Sequence, residues 1–157
     1  MQSDVRSWEQ QGLVSLWRYT KSGQDSPGWH LTADPLGALS LISLLRLVDQ
    51  SDVGSSVTLA LTAPLSSALR VPNKKGGSVD AVAPTQWRIE HGPEGHGSGT
   101  WHFPAGVGTA NLSISGPYVA QMISGLESIA RGHGDASVGS SLAGSSVLWL
   151  WWLPRPT

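Results

Sequence analysis

A strand followed directly by a proline-opened helix occurs twice in this chain, and this arrangement constrains the fold more than any other feature. Residues 29–33 (WHLTA) are followed by Asp34-Pro35, and the strand-like stretch NLSIS is followed by Ser115-Gly116-Pro117. Proline at the first helical position gives up no hydrogen bond that the helix needs, and an aspartate before it can accept from an early backbone N–H. The sequence therefore predicts two helices, each starting where a strand ends.

The two predicted helices differ in how much of their surface is apolar. Apolar residues cover more than half the circumference of residues 36–48, which predicts a deeply buried first helix that ends near Asp49. In the second helix they keep to one face, with Arg131 in the last turn and Gly132 just beyond it. A cation and a glycine are the preferred residues at a helix C-terminus, so the second helix is predicted to end there.

Strands are predicted from alternation and from the turn residues that bound them. Residues 13–20 and 29–33 flank a turn-rich segment and predict a hairpin, and Val57, Leu59 and Leu61 alternate with small residues in a third strand that Pro64 ends. The stretch 65–108 is dominated by loops, with short strands expected near 79–82, 87–91 and 100–103. The last strand is expected over Val147 to Leu153.

These elements predict an α+β fold with an internal duplication. Segments 11–64 and 100–154 both run strand, strand, helix, strand (ββαβ), and Ser55 to Pro64 resembles Ser145 to Pro154 in its Ser-Ser-Val start and its closing proline. We expect one domain, 1–157, built as a mainly antiparallel sheet with both helices packed on one face, a two-layer sandwich. A chain of 157 residues buries enough surface to fold without disulfides or metals, and it has no cysteine.

The charge composition argues against several classes of partner. Charged residues make up 13% of the chain, against about 25% in a typical globular protein. The formal net charge is −1 and the basic residues are scattered, which disfavours nucleic acid and anionic membrane surfaces. The N-terminal residues are polar and lack a signal-like apolar core, so we expect a soluble, cytoplasmic protein.

The eight tryptophans are the compositional outlier, and three of them lie in the last strand. That strand is apolar on both faces, whereas a sheet with helices on one side buries only one. Either it is central in a layered fold or its outer face is covered by another molecule, because a contiguous apolar patch usually marks an interaction surface. We therefore predict a homodimer or a protein partner, with carbohydrate as an alternative ligand, and an interaction surface formed by Leu148, Leu150, Trp152, Trp149 and Trp151.

An enzyme is the alternative hypothesis. A cluster of three histidines and one carboxylate could supply metal ligands, namely His91, Glu94, His96 and His102. The loop RGHGD offers His133 and Asp135, with Ser137 and Ser140 nearby as nucleophiles. The spacing matches no known metal motif, no serine lies in a G-x-S-x-G turn, and no phosphate-binding glycine motif is present. We therefore expect no cofactor and favour a non-enzymatic interaction module.

Overall fold

The computed structural model describes residues 7–19, 29–64, 81–92, 100–102, 108–114, 117–132, 136–138 and 148–152. This part of the chain contains nine strands and two helices. They are β1 (Val14–Tyr19), β2 (Trp29–Ala33), α1 (Pro35–Gln50), β3 (Ser56–Ala60), β4 (Ala81–Val82), β5 (Gln86–His91), β6 (Thr100–His102), β7 (Thr109–Ile114), α2 (Pro117–Ala130), β8 (Ala136–Val138) and β9 (Leu148–Trp152). The α+β class and both helices are confirmed, whereas β8 was not predicted.

The strands form two mixed sheets and not the single sheet expected from the sequence. The five-stranded sheet has the order β4-β1-β2-β9-β8 and the four-stranded sheet the order β3-β5-β7-β6. Antiparallel pairs predominate, but β2 pairs in parallel with β9, and β5 in parallel with β7. The backbone N–H of Thr62, just after β3, donates to the carbonyl of Val14 on β1 at 2.8 Å, which joins the two sheets at one point.

The two sheets repeat one pattern of pairing. Along β1-β2-β9-β8 the pairs run antiparallel, parallel, antiparallel, and along β6-β7-β5-β3 they run in the same way. Strands β3 and β5, which follow α1, join the hairpin β6-β7, and strands β8 and β9, which follow α2, join the hairpin β1-β2. In this pattern β5 of the four-stranded sheet corresponds to β9 of the five-stranded sheet, and β3 corresponds to β8. The sequence alignment of Ser55–Pro64 with Ser145–Pro154 instead matched β3 with β9, an edge strand with a central one.

Helix α1 begins as the Asp34-Pro35 signal predicts. The Asp34 carboxylate accepts from the backbone N–H of Gly37 at 2.6 Å and from that of Leu13 at 2.9 Å, so it caps the helix and holds the chain entering β1. Gly37 has no room for a side chain, because a Cβ there would collide with the Leu13 carbonyl. Helix α2 is followed by Gly132 with φ of 71°, the left-handed conformation that glycine adopts at a helix end.

The core lies between the helices and one face of each sheet. The helices pack against each other, α1 also contacts β2 and β5, and α2 contacts β8 and β9. Buried positions along α1 recur along α2 with constant spacing, so that Ala38 corresponds to Val119 and Val48 to Ile129. No helix in the described ranges is long and apolar enough to cross a membrane.

Candidate functional site

Strand β9, which carries the predicted interaction surface, lies between β2 and β8 in the five-stranded sheet. Leu148 and Leu150 are fully buried in the core beneath the helices, so their assignment to an interaction surface was wrong. Trp149 and Trp151 alternate with them and point to the opposite side of the sheet, where each is half-buried. We call this side, turned away from the helices, the outer face. For Trp152 the structure describes only the backbone, which pairs with Ala33.

Four rings with nearly parallel planes form a row on the outer face, which we call the aromatic column. Trp17 on β1 stacks on His30 of β2 at a centroid distance of 5.5 Å, and the ring of His30 lies beside that of Trp151 with 6.0 Å between centroids. Trp151 in turn stacks on Trp149 at 6.2 Å, and successive rings are inclined by only 22° to 23°. Offset stacking in this distance range is a preferred geometry for aromatic pairs. Trp17 and His30 are fully buried, so only the Trp149–Trp151 end of the column reaches the surface.

His30 is fixed within the column by a hydrogen bond as well as by stacking. The indole N–H of Trp151 donates to His30 Nδ1 at 2.9 Å. Because an indole nitrogen can only donate, Nδ1 must carry a lone pair, and the neutral ring therefore carries its proton on Nε2. The pair joins strands that are neighbours in space and 121 residues apart in the chain.

The four-stranded sheet provides a comparison for this face. Trp149 and Trp151 pair with His30 and Thr32 of β2, and the same places on β5 are held by Arg88 and Glu90, which pair with Asn111 and Ser113 of β7. Arg88 and Glu90 form an ion pair of 3.5 Å with side chains 38% and 34% exposed. Every residue of β2 is buried, whereas β5 and β7 alternate buried and more exposed positions. The same framework thus carries an aromatic outer face on one sheet and a polar one on the other.

Two of the four predicted metal ligands, His91 and His102, lie on strands that are not neighbours. His91 lies on β5 and His102 on β6, and β7 separates these strands. His91 is buried and its Nδ1 donates to the Ser51 carbonyl at 2.8 Å, at the C-terminal end of α1, where a histidine is favourable. Glu94 and His96 lie outside the described residues. Among the described side chains, no group of three or more His, Asp or Glu could hold a metal ion.

The second enzyme-like group falls largely outside the described ranges, which contain neither His133, Asp135 nor Ser140. Ser137 lies on β8 with its backbone opposite Trp149. Asp34, near His30 in sequence, is engaged as the helix cap. The arrangement of His133 and Asp135 with a nearby serine therefore stays a prediction.

The side of α1 turned away from the core carries an exposed apolar groove. The sequence analysis did not predict it, because apolar residues around more than half of the helix indicated deep burial. Leu36 and Leu39 are 59% and 56% exposed. The segment before β1 runs beside them, held by the Trp8 indole N–H, which donates to the Ser40 carbonyl at 2.9 Å. A cavity of about 510 Å³ lies between that segment and the helix. The helical wheel places Leu36, Leu39 and Leu47 on one stripe opposite the core, which spacing alone could have indicated.

Comparisons with known proteins give no relative: no family model matches the chain, and neither a curated protein nor a solved structure is significantly similar to it.

Proposed function

We propose that this protein is a non-enzymatic interaction module that self-associates through the outer face of the five-stranded sheet, at Trp149 and Trp151. The observation that supports this is the contrast between the two sheets. The places held by these tryptophans carry Arg88 and Glu90 in the four-stranded sheet, so the framework does not itself require aromatic residues there. Large aromatic residues with one accessible side are typical anchors of protein interfaces.

The geometry of the column favours a protein surface over a sugar. A sugar site needs hydrogen-bonding groups for the hydroxyls beside an open aromatic face, and the indole N–H of Trp151 is already engaged by His30. The half-buried rings of Trp149 and Trp151 offer a partner mainly apolar surface, which packs well against the apolar side chains of another protein. A second copy of the chain supplies such a surface by symmetry, because twofold contacts use the same patch on both partners.

The enzyme alternative has less support. Of the histidines proposed as metal ligands, His91 uses Nδ1 to hold the end of α1, and His102 lies on a strand that is not its neighbour. A catalytic histidine needs a nucleophile or metal within hydrogen-bonding reach. Among the described side chains, no group of metal ligands surrounds His91.

The proposal is tested by measuring the mass of the full chain by sedimentation velocity over a wide range of concentrations. We expect a concentration-dependent dimer, and Trp151→Ala should weaken its formation roughly 30-fold, the effect of removing one hot-spot tryptophan. Because that variant also loses stacking inside the chain, its folding is checked by thermal unfolding. Trp149→Ala, which leaves the hydrogen bond between Trp151 and His30 in place, is a second test of the same surface.

The matched control is the pair of equivalent positions in the other sheet. Arg88→Ala with Glu90→Ala should leave the dimerisation constant unchanged. A wild-type chain that is monomeric at every concentration would rule out self-association. A dimer weakened equally by the control and by the tryptophan variants would rule out the outer face as its contact.

A further inference from the structure

His30 stands between the two ends of the aromatic column, and it is the link through which Trp151 is held. It is fully buried, it stacks on Trp17, it lies beside Trp151 in nearly the same plane, and its Nδ1 accepts the Trp151 indole proton at 2.9 Å. Trp151 is half-buried and belongs to the surface proposed to bind a second copy. The orientation of a surface tryptophan therefore depends on one nitrogen of a buried imidazole.

Protonation of that nitrogen removes the bond. In the imidazolium both ring nitrogens carry hydrogen, so Nδ1–H would face the indole N–H, and two donors would meet where a donor now meets an acceptor. A cation over the face of Trp17 gains attraction from that ring, but a fully buried charge loses its hydration, which is the larger effect. Nδ1 of His30 therefore cannot hold a proton while it accepts from Trp151, but it can once that hydrogen bond is broken.

We propose that His30 positions Trp151 for self-association and that protonation of His30 releases it, which makes the outer-face contact weaken as pH falls. The sign follows from linkage: the state that binds the additional proton is the one with the bond broken, so acid shifts the population towards it. The self-association part of this inference rests on the proposed function, whereas the coupling between His30 and Trp151 does not.

The described neighbours of His30 on this face of the sheet are uncharged. On β1 the neighbours on this face are Ser15 and Trp17, on β2 the neighbour is Thr32, and on β9 they are Trp149 and Trp151. None of these five side chains carries a charge. Imidazole titrates between about pH 8 and pH 5, so the coupling is examined over that range.

The direct test is a nuclear magnetic resonance titration of the wild-type chain over that range. The Cε1 resonance of His30 reports its protonation, and the indole N–H resonance of Trp151 reports the hydrogen bond through its shift and its exchange with solvent. We expect the Trp151 signal to lose protection in step with His30 protonation. The inference is overturned if Trp151 stays protected after His30 is protonated, or if His30 remains neutral until the chain unfolds.

Two variants test separately the hydrogen bond that His30 accepts and the presence of an aromatic ring at its position. His30→Asn keeps an acceptor near the position of Nδ1 but takes up no proton, so Trp151 should stay protected at every pH. His30→Phe keeps a ring in the stack but has no acceptor, so Trp151 should exchange rapidly at every pH. If either substitution prevents folding, the wild-type titration alone still decides the question.

Sedimentation over the same range separates the two proposals. A dimer that weakens as Trp151 is released supports both, and a dimer that is unchanged while Trp151 is released overturns the role of His30 in association. A chain that is monomeric throughout but releases Trp151 on acidification overturns self-association and leaves the positioning role of His30 standing.

Discussion

The outer face of the five-stranded sheet carries Trp149 and Trp151 at the two places where the four-stranded sheet carries Arg88 and Glu90. Both pairs lie on a strand that joins a hairpin in parallel and is flanked on its other side by an antiparallel strand. Beneath them, towards the helices, both strands are equally apolar, with Leu148 and Leu150 in one and Trp87 and Ile89 in the other. The two sheets carry apolar residues alike on the side that faces the helices, and they differ in the side chains on the side turned away from the helices.

This difference distinguishes residues that the fold requires from residues that it tolerates. A sheet with helices on one side needs one apolar face, and the alternation along β5 and β7 shows that pattern. In β2 both faces are buried, and its outer side carries His30 within the aromatic column. Because the four-stranded sheet does without such a column, stability of the shared framework is not a sufficient reason for it.

The strongest test of the shared framework is a matched pair of core truncations. Leu150→Ala and Ile89→Ala remove fully buried side chains from equivalent strands, and each should lower the free energy of unfolding by about 3 kcal/mol. Since strands that precede α1 share a sheet with strands that follow α2, both variants should unfold in a single transition, measured by urea denaturation with circular dichroism and tryptophan fluorescence. Separate transitions for the two probes would show that the two sheets do not unfold as one unit.

Much of the local structure was predictable from the sequence because its signals are local. The Asp34-Pro35 cap, the strand at 29–33 and the glycine after α2 each act through neighbouring backbone groups, and all were confirmed. Strand β8 was missed because residues 136–138 lie in a stretch rich in Gly and Ser, and pairing with β9 makes them a strand. Tertiary context overrides weak propensity in such short strands.

The sheet pairing and the site depend on contacts that local patterns do not encode. The alternation of residues in β9 predicted two apolar faces, but not which one the helices would cover, so Leu148 and Leu150 were assigned to the surface with the tryptophans. The bond between Trp151 and His30 spans 121 residues and requires the parallel pairing of β2 with β9. His91 carried no sequence signal for its bond to Ser51, which arises only when β5 ends beside α1.

We expect a smaller loss of stability from substituting Asp34, which caps the N-terminus of α1. Asp34 accepts two backbone N–H groups, from Gly37 and Leu13, whereas α2 is preceded by Ser115 and Gly116. Asp34→Ala should lower the free energy of unfolding by about 1 to 2 kcal/mol, because both donors lose their acceptor. Asp34→Asn, which keeps the oxygen, should recover most of the loss in the same urea denaturation assay. A variant as stable as the wild type would show that water replaces the cap.

The smallest effect is expected on the polar outer face, where the Arg88–Glu90 ion pair occupies the places of the two tryptophans. Its length is 3.5 Å and its side chains are 38% and 34% exposed, so solvent and salt screen most of the attraction. Arg88→Gln should therefore lower the free energy of unfolding by less than about 0.5 kcal/mol, and that loss should shrink further at high salt. Denaturation at low and high ionic strength measures both values. A loss above about 1 kcal/mol would mean that this face also contributes to the framework, and the contrast with Trp149 and Trp151 would then no longer single out the aromatic face as the functional one.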